Sequence, residues 1–151
     1  LGADIAVETV DMVLDNDGNV PAQEQEALIP TSEPLHPAPK IFKETCQICW
    51  NKPAKTVYDF IRGLSPYPGA WTTLHKDQKA TELKIYKAAK TGKPVGDAKP
   101  GSIETTKKAL YMACADEWLE ILSLQLAGKK RMEASAFING NKGLADCTVG
   151  A

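Results

Sequence analysis

The sequence predicts a mainly β protein with short helices, in which a small closed or nearly closed barrel is preceded by a helix and an extended linker. Three observations predict it. Beyond Lys40, short apolar runs bounded by turn residues recur at 70–74, 81–89, 102–105, 108–115 and 118–126, about five strands in all. Between Val20 and Pro39, five prolines (Pro21, Pro30, Pro34, Pro37 and Pro39) stand among Gln, Glu and Ser, which describes a chain that neither coils nor packs. Short strands also present unpaired edges unless their sheet closes on itself, and closure is therefore favoured. Periodicity alone does not separate one small barrel from another.

Taken in order, residues 3–14 place Ile5, Val7, Val10, Met12, Val13 and Leu14 among acids, the pattern of a short helix with an apolar side and little here to pack against. Its partner is expected to be missing. The cluster Asp15-Asn16-Asp17-Gly18-Asn19 is a turn. After the linker, Ala54, Val57, Tyr58, Ile61 and Leu64 recur at three- and four-residue spacing, an amphipathic helix for which Asn51 is the expected cap. Pro66 and Pro68 cannot continue that helix, and Gly69 lets the chain turn sharply into the first strand.

In the strand expected over 81–89, Leu83 and Ile85 alternate with Glu82, Lys84 and Tyr86. Residues 90–100, rich in Gly, Pro and Lys, are expected to form a mobile loop. Leu110, Met112 and Cys114 share one face of the next long strand, and Asp116-Glu117 is the expected two-residue hairpin. The return strand, 118–126, is apolar on both faces and should be central. Residues 132–138 are expected to make a last helical turn or two, ended by Gly140.

A formal net charge of -1 conceals a division of the chain. Residues 1–39 carry eight acids and no Lys or Arg, whereas residues 40–151 carry a net +7. Such a split points to two units with different neighbours, either an acidic linker beside an ordinary lysine-rich surface or a polyanion-binding domain joined to something else. The 43% hydrophobic content is that of a globular chain, and no apolar run is long enough to span a membrane. The first residues lack the basic segment of a signal peptide, and the chain is expected to begin mid-protein.

Reactive constellations are scarce. Cys46-Gln47-Ile48-Cys49 has the C-x-x-C spacing, but Cys114, Cys147, His36 and His75 are not spaced to complete a zinc site, and no thioredoxin-like pattern surrounds the pair. The four cysteines are therefore expected to be ordinary reduced thiols, with no metal bound. No phosphate-binding loop, dinucleotide fingerprint or H-E-x-x-H motif occurs.

Six segments nonetheless occur in an order and spacing that resemble one family. They are Leu1-Gly2-Ala3, Ala38-Pro39-Lys40-Ile41, Trp50 with the corner Ile61 to Trp71, Lys84-Ile85, Pro100-Gly101-Ser102-Ile103, and Leu124 to Met132 with its Gly128-Lys129-Lys130-Arg131. Together they resemble the C-terminal part of the methionyl-tRNA formyltransferases. The resemblance implies that residues 1–19 end a catalytic domain, that 20–39 are the interdomain linker, and that 40–151 form an OB-like, tRNA-binding domain.

Formyl transfer from 10-formyltetrahydrofolate to the amino group of initiator methionyl-tRNA requires a neutral amine, a base for its proton and donors for the oxyanion. The family assigns those tasks to an Asn, a His and an Asp of its N-terminal domain, and none of those motifs is present here. No catalytic residue is carried over, and this chain alone is expected to bind no folate. What the resemblance carries over is a basic surface for RNA: Lys40, Lys43, Arg62, Lys129, Lys130 and Arg131, with Lys84 less distinctively. Lysines without base-reading partners suit a grip on RNA phosphates and shape.

Trp50, Tyr67 and Trp71 are expected to pack the corner, with base stacking as the alternative. A monomeric cytoplasmic protein is implied. The rival readings are a sugar-nucleotide formyltransferase, which needs no basic grip, and a stand-alone OB-like module, against which the unpartnered helix argues.

Overall fold

The computed structural model describes residues 1–29, Pro34 and residues 36–150, and these divide into two units, Leu1–Pro39 and Lys40–Ala151. In the first unit, α1 spans Gly2–Asp15, and none of its residues is buried. Asn16 ends it, its side-chain amide donating to the Met12 carbonyl at 2.8 Å. A 3-10 turn at Gln25–Leu28 interrupts the segment expected to be wholly extended. Pro30 of the expected linker, with residues 31–33 and 35, lies outside the described residues. No described helix is long and apolar enough to cross a membrane.

The second unit begins with a 3-10 turn at Glu44–Cys46 and the helix α2, Ala54–Leu64. Ala54, Val57 and Ile61 are buried, as their spacing predicts. Asn51 does not cap this helix. The Ala54 N–H donates instead to Asp116 Oδ1 at 2.7 Å, and the same oxygen accepts the Glu117 N–H at 2.8 Å, so the tip of a distant hairpin closes the helix start. A partner 62 positions away is invisible to a local capping rule.

Seven antiparallel strands follow: β1 (Ala70–Lys76), β2 (Lys79–Pro94), β3 (Ile103–Thr105), β4 (Leu110–Ala113), β5 (Glu117–Leu126), β6 (Met132–Glu133) and β7 (Thr148–Gly150). The sheet runs β3-β4-β5-β2-β1-β7, with β6 also paired to β5. Its two ends meet. Ser102 bridges Thr148, and the Val149 N–H donates to the Gly101 carbonyl at 2.8 Å, which curls the sheet into a small barrel-like body. Leu83, Ile85, Leu110, Met112, Leu119, Ile121 and Leu124 fill its interior, all with no exposed surface. The third helix, α3 (Ala134–Gly140), buries Ala134 and Phe137.

Three expectations change in detail. Residues 90–94 belong to β2 rather than to a loop, because register shifts absorb the irregular stretch and Pro94 still pairs with Glu117. The β4-β5 hairpin turns at Ala115-Asp116, one residue earlier than expected, closed by Cys114 N–H to the Glu117 carbonyl at 3.0 Å. Residues 132 and 133 pair with β5 as a two-residue strand before the helix starts.

The corner after α2 is tightly built. The Ser65-Pro66 and Tyr67-Pro68 bonds are both cis, and the Gly69 N–H donates back to the Leu64 carbonyl at 2.9 Å. Gly69 has φ +87, and a Cβ there would lie 3.4 Å from Tyr86 Cε1. Gly69→Val should therefore lower stability by about 1 to 3 kcal/mol, since a β-branched residue tolerates that backbone poorly and crowds Tyr86. Chemical denaturation measures this, and an unchanged midpoint would refute the constraint.

Candidate nucleic-acid interface

The candidate site lies on the outer face of β2 and β5. β2 presents lysines at every third position, Lys84, Lys87, Lys90 and Lys93, a spacing that a regular strand would scatter over both faces. The register shifts on either side of Lys87 resolve this: Lys87 is exposed, and the next residue, Ala88, returns to the core. Lys93 is matched by Glu104 at 2.9 Å, whereas Lys90 lies over the Tyr58 ring at 5.6 Å.

Tyr86 is the hub of this face. The Arg131 guanidinium lies 4.6 Å from its ring centroid, and Arg131 Nε donates to the buried Ser123 hydroxyl at 2.9 Å. The Tyr86 hydroxyl donates to Gln125 Oε1 at 2.7 Å, and Gln125 Nε2 donates in turn to the Lys129 carbonyl at 2.8 Å. The turn that carries Lys129, Lys130 and Arg131 is thus tied to the sheet, with both lysines exposed. Beside Tyr86 a groove of about 290 Å³ is walled by Tyr58, Ile61 and Arg62 of α2 on one side and by Lys87 and Ala88 on the other.

The six residues singled out from the sequence fall into two groups. Arg62 lines the groove beside Tyr86 and Arg131 lies over its ring, while Lys129 and Lys130 stand on the turn tied to it through Gln125. Arg62 is 3.5 Å from Asp59, whose carboxyl is held below its ordinary range by the hydrogen bond from Lys55 first and by Arg62 as well. Lys40 and Lys43 instead flank the other side of the proline corner. Lys40 lies over Phe42 at 5.6 Å, and Lys43 over Trp71 at 5.4 Å. Lys43 also pairs with Glu82 at 2.7 Å, and that hydrogen bond raises its pKa, so its charge is firmly held but already matched.

Lys87, Lys90, Tyr86 and Gln125 escaped the sequence reading. The three-residue lysine period inside a predicted strand was the available signal, since it contradicts alternation and implies a bulge. Among the described residues, Lys84, Lys87, Lys129 and Lys130 form no ion pair with a carboxylate. Of the corner aromatics, Trp50 is buried with its indole N–H donating to Thr72 at 2.9 Å, as packing requires. Tyr67 is not packed at all, being 89% exposed.

A family model described as the formyl transferase C-terminal domain matches residues 40–142. The chain belongs to this formyltransferase family. Three relatives are each named methionyl-tRNA formyltransferase. The chain is 50% identical to that of Parabacteroides distasonis, over 99% of this chain and 46% of that protein. It is 49% identical to that of Phocaeicola vulgatus and 48% identical to that of Bacteroides fragilis, in each case over 93% of this chain and 43% of the relative. This formyltransferase chain thus spans under half the length of the curated relatives it matches.

The family's C-terminal domain here offers cations, and three of its four thiols are shielded. Cys46, Cys114 and Cys147 are buried, whereas Cys49 is exposed. Burial first, and then Asp116 and Glu117, push the Cys114 thiol up to about 12, and burial raises Cys147 too. A disulfide-exchange reagent at mildly alkaline pH should therefore find one fast thiol per native chain and the other three only after unfolding. Rapid reaction of a second thiol would contradict this packing. Among the described residues no group of three His, Cys, Asp or Glu side chains assembles that could hold a metal ion.

Proposed function

We propose that this chain is the tRNA-binding C-terminal portion of a methionyl-tRNA formyltransferase. On this reading residues 1–19 end the catalytic domain, 20–39 are the linker and 40–151 are an OB-like domain. It acts as a cytoplasmic monomer on initiator methionyl-tRNA as translation begins. The observation that supports it most is the carboxylate-free set of Lys87, Lys129 and Lys130 on the face that carries Tyr86 and Arg131, in a chain whose relatives carry the name of a tRNA-modifying enzyme.

Cations held on a curved sheet bind A-form RNA through phosphates and shape, and such contacts set register and orientation without reading bases. The work of this portion is to hold the acceptor end of the RNA where another domain performs the chemistry. Positioning of that kind accounts for a large part of a transfer reaction's rate. On this reading the formyl donor, 10-formyltetrahydrofolate, is bound by the other domain, and no step of the transfer is assigned to the residues described here.

The test is a pair of assays on the purified chain. With 10-formyltetrahydrofolate and methionyl-tRNA it should yield no formylmethionyl-tRNA above background, while still binding the tRNA in a filter or anisotropy assay. Turnover by this chain alone, or failure to bind tRNA at low salt, would overturn the proposal.

A further inference from the structure

Across the proline corner from Tyr86 lies an open pocket of about 340 Å³ that presents three aromatic rings, those of Phe42, Tyr67 and Trp71. Two of them are unusually bare: Phe42 is 54% and Tyr67 89% exposed, beside an Ile41 that is 58% exposed. A folded domain normally covers much of such surface, and Trp50 nearby is only 4% exposed.

Two of the three are also anchored. The Phe42 N–H donates to Thr45 Oγ1 at 3.1 Å, and the same hydroxyl donates to the Phe42 carbonyl at 2.7 Å, which fixes the backbone under that ring. The Trp71 indole N–H donates to the Lys43 carbonyl at 2.8 Å. Cations accompany them. Lys40 and Lys43 sit over Phe42 and Trp71, and Lys84, on the pocket wall, makes no ion pair with a carboxylate among the described residues. The one carboxylate on the wall among the described residues, Glu82, is already taken by Lys43.

Accessible aromatic faces beside lysines form the combination that takes a nucleobase and its flanking phosphate. A paired base cannot enter, because its faces are covered by its neighbours in the helix. We propose that this pocket stacks an unpaired nucleobase of the bound RNA against Phe42, Tyr67 and Trp71, with the adjoining phosphate on Lys84. The inference rests on the RNA-binding reading and adds to the phosphate grip a subsite that distinguishes unpaired from paired RNA.

The experiment compares a short single-stranded oligoadenylate with a blunt RNA duplex, each titrated by anisotropy against the whole chain. Tyr67→Ala, at a side chain too exposed to affect folding, should weaken oligoadenylate binding about tenfold, and Phe42→Ala comparably. Tyr67→Phe should restore it, because the ring and not the hydroxyl makes the stack. Duplex affinity and the salt dependence of both should stay unchanged. Wild-type oligoadenylate affinity in both alanine variants, or equal losses on duplex and single strand, would overturn the stacking subsite while leaving the phosphate grip intact. Failure of the unsubstituted chain to bind either RNA would remove both.

Discussion

Gly101→Ala should cost about 3 kcal/mol or more and open the barrel where its sheet closes. Gly101 has φ +86, and a Cβ built on it would stand 2.1 Å from the Val149 carbonyl oxygen, a backbone atom that no rotamer change can move aside. The same residue bonds in two directions, its N–H to the Ala113 carbonyl at 2.9 Å and its carbonyl to the Val149 N–H at 2.8 Å. Relief of the clash must therefore pull β7 away and expose Val149, now 5% exposed, and Leu144 beneath the same end of the chain. Gly63→Ala is the matched control. It lies inside α2 with nothing within 4 Å of its Cβ, and it should be neutral or stabilise by up to about 1 kcal/mol through helix propensity. Denaturant unfolding of the two variants should move in opposite directions or leave Gly63→Ala unmoved. A Gly101→Ala protein as stable as the original would show that β7 is not part of the closure.

What the sequence disclosed of this fold follows how local each feature is. The α2 stripe of Ala54, Val57 and Ile61 and the alternation about Leu83 and Ile85 are repeating patterns, and both elements stand where those patterns put them. Short pieces left no such trace: β6 has two residues and β7 three, and each exists only because a longer strand pairs with it. The cap on α2 was illegible for a related reason, because Asp116 reaches Ala54 only after the barrel has formed. In Pro100-Gly101-Ser102-Ile103 the glycine reads as a turn residue, yet its decisive neighbour is Val149, far along the chain.

The candidate site was legible in charge and obscure in arrangement. The change from eight acids without a base to a net +7 was plain at Lys40, and the two compact units divide at that point. Counting lysines could not reveal which were already matched. Lys43 and Lys93 are paired with Glu82 and Glu104, while Lys84 and Lys87 have no carboxylate partner among the described residues. It is the bulge in β2, a departure from strand regularity, that turns Lys87 outward beside Tyr86.

The second large effect concerns those cations. Replacing Arg62, Lys87, Lys129 and Lys130 together by Ala should remove most of the affinity for tRNA at low salt, because each phosphate they neutralise releases a counterion. The loss should be alike for initiator and elongator tRNA, since phosphate contacts carry no sequence information. All four side chains are exposed, and three of them pair with no carboxylate among the described residues, so the fold should survive the change. Lys40→Ala with Lys43→Ala should matter less, because the Lys43 ammonium is already engaged by Glu82.

The slope of log affinity against log salt for tRNA binding, measured for the original chain and the quadruple variant, tests the phosphate grip most directly. With roughly 0.7 to 0.9 of slope per phosphate, the original chain should fall steeply and the variant should be shallower by about 3. An identical slope in a folded variant would mean that the face built around Tyr86 and Arg131 does not hold the RNA.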